Sequence, residues 1–386
     1  MDKKIIFALA IALGIIAVLF FTSYNPAGMF LLPAQEPLVK IGWVGPLTGG
    51  MASFGKANLE GIQLAVDEIN KNGGINGKRV ILFVEDNKGE KMETLNGYQK
   101  LLKINEVSAT LVTGYSDFLT LAPIAEREKK ILLSAVDTSD EIAAAGEWVF
   151  GVGVYDEGVG STLAEFAYTT LQARNAVILF DKSDGFSSLV KNGFERDFLK
   201  LGGVISAVEG FGAEENDFRS ILQKAKQKQL DVILLLGYDN AGFAIKQARE
   251  LGINTTFLGM DTTSTETFYR NSSGAAKGMY FSFWEPKNKE LSEKFLTEFD
   301  ERFGKAPELY LFSATGYDTM HIVGSAIGKC ALSDYDSQCI KEKLYATSNY
   351  SGLTGQLTMS PDGIVRTVKE EIFVLGANAG YYKFKE

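Results

Sequence analysis

The sequence predicts an α/β fold built as two Rossmann-like lobes with parallel-rich sheets, preceded by an apolar N-terminal helix. Three observations carry that expectation. Short apolar runs alternate with amphipathic helical stretches along most of the 386 residues. The runs are nearly continuously apolar, the mark of strands covered on both faces by helices. The alternation also occurs as two successive series, which implies two sheets, with a cleft between them and several chain crossovers.

Taken in order, Lys3 and Lys4 precede an uninterrupted apolar run at 5–21. It exceeds the h-region of an ordinary signal peptide and is just long enough to span a bilayer with its flanks. Residues 1–21 are read as a signal anchor, a cleaved signal peptide being the alternative, and 22–38, with three prolines, as a tether. The lysines stay inside, so the remainder lies outside the cytoplasmic membrane, in the periplasm or at the cell surface. In an oxidising compartment Cys330 and Cys339, the only two cysteines, are expected to form a local disulfide, stabilising by roughly 2–3 kcal/mol; two free thiols are the alternative.

The first series begins with strand 39–45 (VKIGWVG). Helix 56–70 follows, with Leu59, Ile62, Val66 and Ile69 at helical spacing. Then come strand 79–85, helix 91–104, strand 109–113, helix 118–129 and strand 131–136. The second series has helix 158–171, strand 176–180 (AVILF), helix 187–201, strand 204–208, helix 218–228, strand 231–236 (DVILLL), helix 242–251 and strand 256–259. The tail adds helices 291–303 and 310–327 and two strand-like runs, 355–359 and 371–375, of a kind that returns to complete earlier lobes.

Several chemistries are disfavoured. A formal charge of −9 without a basic run past residue 4 leaves no nucleic-acid surface. The stretch from Gly50, G-M-A-S-F-G-K-A, nearly matches a phosphate loop, but Ala57 stands where a Mg²⁺-binding hydroxyl belongs. One histidine, His321, and two cysteines build no usual zinc site, and no Gly-x-Ser-x-Gly elbow is present. No metal and no cofactor are expected, and no enzyme.

The strand ends supply polar groups where open α/β sheets bind ligands. Strand 109–113 runs into Gly114-Tyr115-Ser116-Asp117 and strand 131–136 into Asp137-Thr138-Ser139. Ser116 and Thr138, with N–H groups at a helix start, are suited to a carboxylate. In the second series strand 231–236 ends at Gly237-Tyr238-Asp239 and strand 256–259 at Met260-Asp261, an aspartate suited to an ammonium. Each of Ser116, Thr138 and Asp261 also suits a helix N-cap.

From residue 39 to the C-terminus the chain resembles the leucine/isoleucine/valine-binding proteins, the type I periplasmic solute-binding proteins of branched-chain amino acid ABC transporters. GPLTG, the G-x-x-x-A-x-x-x-I-N run at 61–70, GGINGKRV, ILLSAVDTSDEI, IKQARELGINTTFLGMD and GLTGQLTMSPDG carry the likeness. The resemblance implies a three-strand hinge, with lobe 1 at 39–154 and 285–365 and lobe 2 at 155–284 and 366–386. It implies capture of an amino acid or related small molecule in the cleft, delivery to an ABC transporter permease, and no catalysis. Ser116, Thr138 and backbone near Val136 match the family's carboxylate positions. Asp261 matches its ammonium-binding acid, Tyr238 an aromatic of the second lobe, and Phe54 an aromatic touching the ligand side chain. Two departures weaken the case for leucine or valine: Tyr115-Ser116-Asp117 replaces a serine run, and Gly185-Phe186 stands where the family has Tyr-Gly. The alternative reading is a ligand-sensing ectodomain; an extracellular carboxylate-dependent hydrolase ranks below it.

Overall fold

The structure, a computed structural model, describes residues 38–385 apart from 229, 285, 287, 331–335 and 366–369. The apolar run 5–21 and the tether up to residue 37 lie outside the described residues. Among the described residues, no helix is long and apolar enough to cross a membrane.

The first series forms β1 (Val39–Gly45), β2 (Val80–Asp86), β3 (Ala109–Val112), β4 (Ile131–Ser134), β5 (Asp137–Thr138), β6 (Val149–Gly151) and β7 (Val154–Tyr155). The second forms β8 (Asn175–Asp181), β9 (Val204–Phe211), β10 (Val232–Leu236), β11 (Thr256–Gly259) and β12 (Tyr280–Phe283). The tail adds β13 (Tyr350–Gly352), β14 (Gly355–Leu357), β15 (Glu371–Leu375) and β16 (Tyr381–Lys383). One sheet has the order β2-β1-β3-β4-β6 and is wholly parallel. The other has the order β16-β15-β12-β11-β10-β8-β9, parallel up to β12 and closed by the antiparallel β15 and β16. Central strands such as β10 (VILLL) are buried along their whole length, which accounts for their lack of period-two alternation.

Two of the tail's expectations came out differently. The run 355–359 makes a hairpin with Tyr350–Gly352 instead of entering either large sheet, while Ile364 bridges to Gly151 at the edge of the first. Strand β15 joins the second sheet, as a returning element would. Among the described residues the chain therefore passes between the sheets after Gly151, after Phe283 and after Ile364.

Helix Ala52–Lys71 starts four residues earlier than the spacing of Leu59 and Ile62 predicts, so it takes Phe54 into its first turn. It packs closely on helix Tyr310–Gly328. A Cβ on Gly61 would lie 1.9 Å from the Ser313 carbonyl oxygen, and one on Gly316 would lie 2.4 Å from that of Asn58. Only glycine permits that approach. A buried polar network fixes this pair to the sheet: the Trp43 indole N–H and the Asn58 carbonyl meet the Thr113 hydroxyl at 3.0 and 2.6 Å. The Asn58 amide donates to the carbonyls of Ala135 and Phe312, each at 3.0 Å. Three strand ends and two helices of the first half are thus held by one asparagine.

The two cysteines are bonded, with Cα atoms 6.0 Å apart. His321 pairs with a carboxylate of the scaffold. Its Nε2 lies 3.3 Å from Glu68, and together with Tyr317 and Lys294 it holds the Glu68 carboxyl well below the usual carboxylate range.

Candidate functional site

All the polar groups of interest sit at the C-terminal ends of parallel strands or in the turns that follow, where a strand hands over to a helix. From the first half come Met51 and Phe54 after β1, Thr113 to Ser116 after β3, and Val136 and Asp137 after β4. From the second come Asp184 and Phe186 after β8, Tyr238 after β10, and Asp261 after β11. An inner cavity of about 20 Å³ is lined by Phe54, Tyr115, Val136, Asp137, Phe186, Tyr238, Asp261 and Phe312 with their neighbours. An outer recess of about 240 Å³ shares Met51, Gly114, Tyr115 and Tyr238 with it, and adds Lys88, Ser116, Asp117, Asp181, Asp184 and Glu214.

The two halves touch around this space. Phe54, 1% exposed, stands edge-on to Tyr238 with ring centroids 5.0 Å apart and to Phe312 at 5.1 Å. It is part of the inner wall and lies deeper than the lip of a cleft. The Ser116 hydroxyl accepts the Gly185 N–H at 3.1 Å, and the Ser53 hydroxyl reaches Asp239 at 3.5 Å. Gly185 is needed here because a Cβ would lie 2.7 Å from the Tyr115 ring.

The structure brings Phe54, Val136, Tyr238 and Asp261 around one cavity. Ser116 lies in the adjoining recess, engaged with the opposite half. Thr138 is not brought to either space. Its side chain is fully buried and its hydroxyl donates to the Val154 carbonyl at 2.8 Å, tying β5 to β7 where the chain first crosses. Nor does it cap a helix; Ser139 does, accepting from the Ile142 N–H at 3.0 Å. The carboxylate clamp of Ser116 with Thr138 is therefore not assembled in this arrangement. The extra carboxylate of Asp117 is committed locally, to the Thr94 hydroxyl and the Asn87 amide, both at 2.7 Å. The altered wall regains an aromatic, since Phe186 lines the inner cavity.

Asp137 is the residue that sequence reasoning passed over. It is 8% exposed and lines the inner cavity. Burial, with Asp184 and Asp261 nearby, pushes its carboxyl up to about 8. Burial likewise raises Asp261 to about 7, against the help of the Thr262 N–H, which its Oδ1 accepts at 2.8 Å. Glu370 is raised to about 8 by burial and by Asp261, against the pull of the Ser282 hydroxyl. Burial also raises Asp184, although its carboxylate accepts the Ser187 N–H at 2.7 Å. The Tyr238 hydroxyl is held far above its ordinary range by burial and then by Asp184, Asp137, Asp261 and Asp181. Groups of this kind, desolvated and facing like charges at a cleft, mark a candidate functional site.

Comparison with known proteins fits this architecture. The family model described as periplasmic binding protein matches residues 38–374. The chain belongs to the periplasmic binding protein family. Among its relatives is the leucine-, isoleucine-, valine-, threonine-, and alanine-binding protein of Pseudomonas aeruginosa, 23% identical over 89% of this chain and 91% of that one. Among solved structures, the branched-chain amino acid transporter substrate binding protein LivJ from Streptococcus pneumoniae, in complex with isoleucine, superposes with a TM-score of 0.80 at 27% identity, covering 91% of this chain and 100% of that one. The leucine binding protein LivK from Thermotoga maritima gives 0.82 at 26% identity, with 90% and 98% covered. These periplasmic binding proteins are named for what they bind, and none of the three names states a reaction.

Proposed function

We propose that this periplasmic binding protein is an extracytoplasmic receptor that captures an amino acid or related small molecule between its two lobes and delivers it to an ABC transporter permease. One observation carries the reading. Residues from both halves, Phe54 and Val136 on one side and Tyr238 and Asp261 on the other, line a single inner cavity at the ends of the strands. A solute touching both walls favours the closed arrangement over the open one, because its contacts exist in full only when the halves meet. The lobes are assigned as 39–154 with 285–365 and 155–284 with 366–386, hinged at the three crossings. The apolar run 5–21 is assigned as the anchor that keeps the receptor near its permease.

In this reading Asp261 receives the solute's ammonium, Phe54 and Tyr238 its apolar body, and no bond is made or broken. The relatives' names, all of them of amino-acid or small-solute binders, support it. Thermal melting of the full chain in mild detergent against amino acids, amides, amines and short organic acids tests it. A true solute at a hundred-fold excess over its Kd is expected to stabilise by about 2.7 kcal/mol. No shift with any of these compounds would overturn the reading.

A further inference from the structure

We infer that the solute is an organic cation of net positive charge, with its ammonium group seated between Asp137 of the first half and Asp261 of the second. The inference rests on the receptor reading and narrows its ligand.

The inner cavity carries these two carboxylates and no lysine, arginine or histidine among its lining residues. Of the acids lining the two spaces, four already have donors: Asp117 has Thr94 and Asn87, Asp184 has the Ser187 N–H, Asp181 has Ser183, and Asp261 has the Thr262 N–H on one oxygen. Asp137 has none. Only 8% exposed and lining the cavity, its carboxylate accepts no hydrogen bond from any described residue. A carboxyl buried in this way is costly whether ionised or neutral, and a donor carrying positive charge removes both costs at once.

The remaining walls choose the kind of cation. Phe54, Tyr115, Phe186, Tyr238 and Phe312 line the same space, an aromatic surround suited to an alkylammonium. Its volume of about 20 Å³ takes the ammonium end, while the adjoining recess of about 240 Å³ has room for the rest. Among the described residues no group of three or more His, Cys, Asp or Glu side chains converges as a metal site. The approach has the same sign: Asp117, Asp181, Asp184 and Glu214 line the outer recess against Lys88. Such a recess concentrates cations and repels anions.

A net-neutral zwitterion could seat the same ammonium, but its carboxylate would then face Asp117, Asp181, Asp184 and Glu214, and the Thr138 hydroxyl proton is already spent on Val154. A second positive charge offsets that carboxylate, and an amine without one avoids the conflict.

Calorimetric titration of the full chain with lysine, 1,4-diaminobutane, leucine and isoleucine tests the inference, with Asp137→Asn run in parallel. Lysine, the diamine or both are expected to bind more tightly than the two neutral amino acids. Asp137→Asn is expected to weaken the cation by at least about 30-fold, the loss for removing one side of a buried charged pair. Tight lysine with weak diamine assigns the α-carboxylate to the N–H groups at the start of helix Tyr115–Glu128, and the reverse assigns the solute as a plain amine; either supports the inference. Should Asp137→Asn fail to fold, Asp261→Asn in the same titration carries the same expectation. Leucine or isoleucine binding more tightly than both cations, or a cation affinity unchanged by Asp137→Asn, would overturn the inference while leaving a neutral-solute receptor standing. Silence from all four would overturn the inference, and the wider melting panel then decides the receptor reading separately.

Discussion

Gly185→Ala isolates closure from ligand contact, since Gly185 does not line the inner cavity but sits where the two halves meet. Its φ is not left-handed, so alanine is tolerated by the backbone. The added methyl would lie 2.7 Å from Tyr115 Cδ1, 3.0 Å from Ser116 Oγ and 3.1 Å from Tyr115 Cε1. Ordinary carbon contacts need about 3.5–4.0 Å, so the halves must part by most of an ångström. That separation removes the Gly185–Ser116 hydrogen bond, worth about 0.5–1.5 kcal/mol, and loosens the edge contact between Phe54 and Tyr238. Closure should be disfavoured by about 1–2 kcal/mol, which reads as a Kd raised roughly 5- to 30-fold. The unliganded protein should not lose stability, because alanine favours the helix that begins at this residue by a few tenths of a kcal/mol or more. Calorimetry on the full chain in detergent, with whichever solute gives the strongest thermal shift, measures the first effect, and melting without solute measures the second. An affinity within about two-fold of the parent would refute the argument that the two halves must meet here for binding.

The other expectations concern the scaffold and the acids. Asn58→Ala strips the hydrogen bonds that join Trp43, Thr113, Ala135 and Phe312, leaving several buried groups without partners. A loss of about 2–4 kcal/mol in urea unfolding is expected, and a loss below about 1 kcal/mol would contradict the network's role. Without solute, stability should fall as pH rises from about 4 towards 8. Asp137, Asp261 and Glu370 bind protons in the folded state, with carboxyls raised to about 8, about 7 and about 8, and are ionised in the unfolded chain above about 4. The groups facing them are Asp184, Asp181, Tyr115 and Tyr238, and no cationic side chain lines the inner cavity to offset the trend. Each whole proton taken up on folding gives a slope of about 1.4 kcal/mol per pH unit, and Asp137→Asn should flatten it; urea midpoints at pH 5, 6, 7 and 8 read it, and a rise across this range would contradict it. A bound cation needs the ionised carboxylates, so its affinity should increase over the same range, measured by titration at those pH values.

Much of this architecture was legible because parallel strands leave a strong imprint. VKIGWVG, DVILLL and the run 371–375 became strands with bounds within a residue of expectation. The cleft walls followed from the same logic: Val136, Tyr238 and Asp261 stand at the ends of apolar runs, where the chain must turn. Several short elements escaped because they lack a period. Strands β6 and β12 and the helix Ser337–Tyr345 are held by their partners more than by their own pattern. Residue roles at the strand ends were the least legible part. In SAVDTSDEI three polar neighbours compete for one turn, and only packing decides that Ser139 caps the helix, Thr138 bonds Val154 and Asp137 faces the cavity. The carboxylate at position 137 was the available signal, an acid between apolar strand and helix start with no basic residue near it in sequence.

The most direct test of a solute held between the lobes is titration of Asp261→Ala alongside the parent chain. Asp261 is 3% exposed, lines the cavity and carries a carboxyl raised by burial, so its removal should leave the unliganded melting temperature unchanged or higher. The account expects the parent's solute to lose all measurable binding to this variant, with the fold intact by circular dichroism. Retained affinity in a folded Asp261→Ala would contradict it.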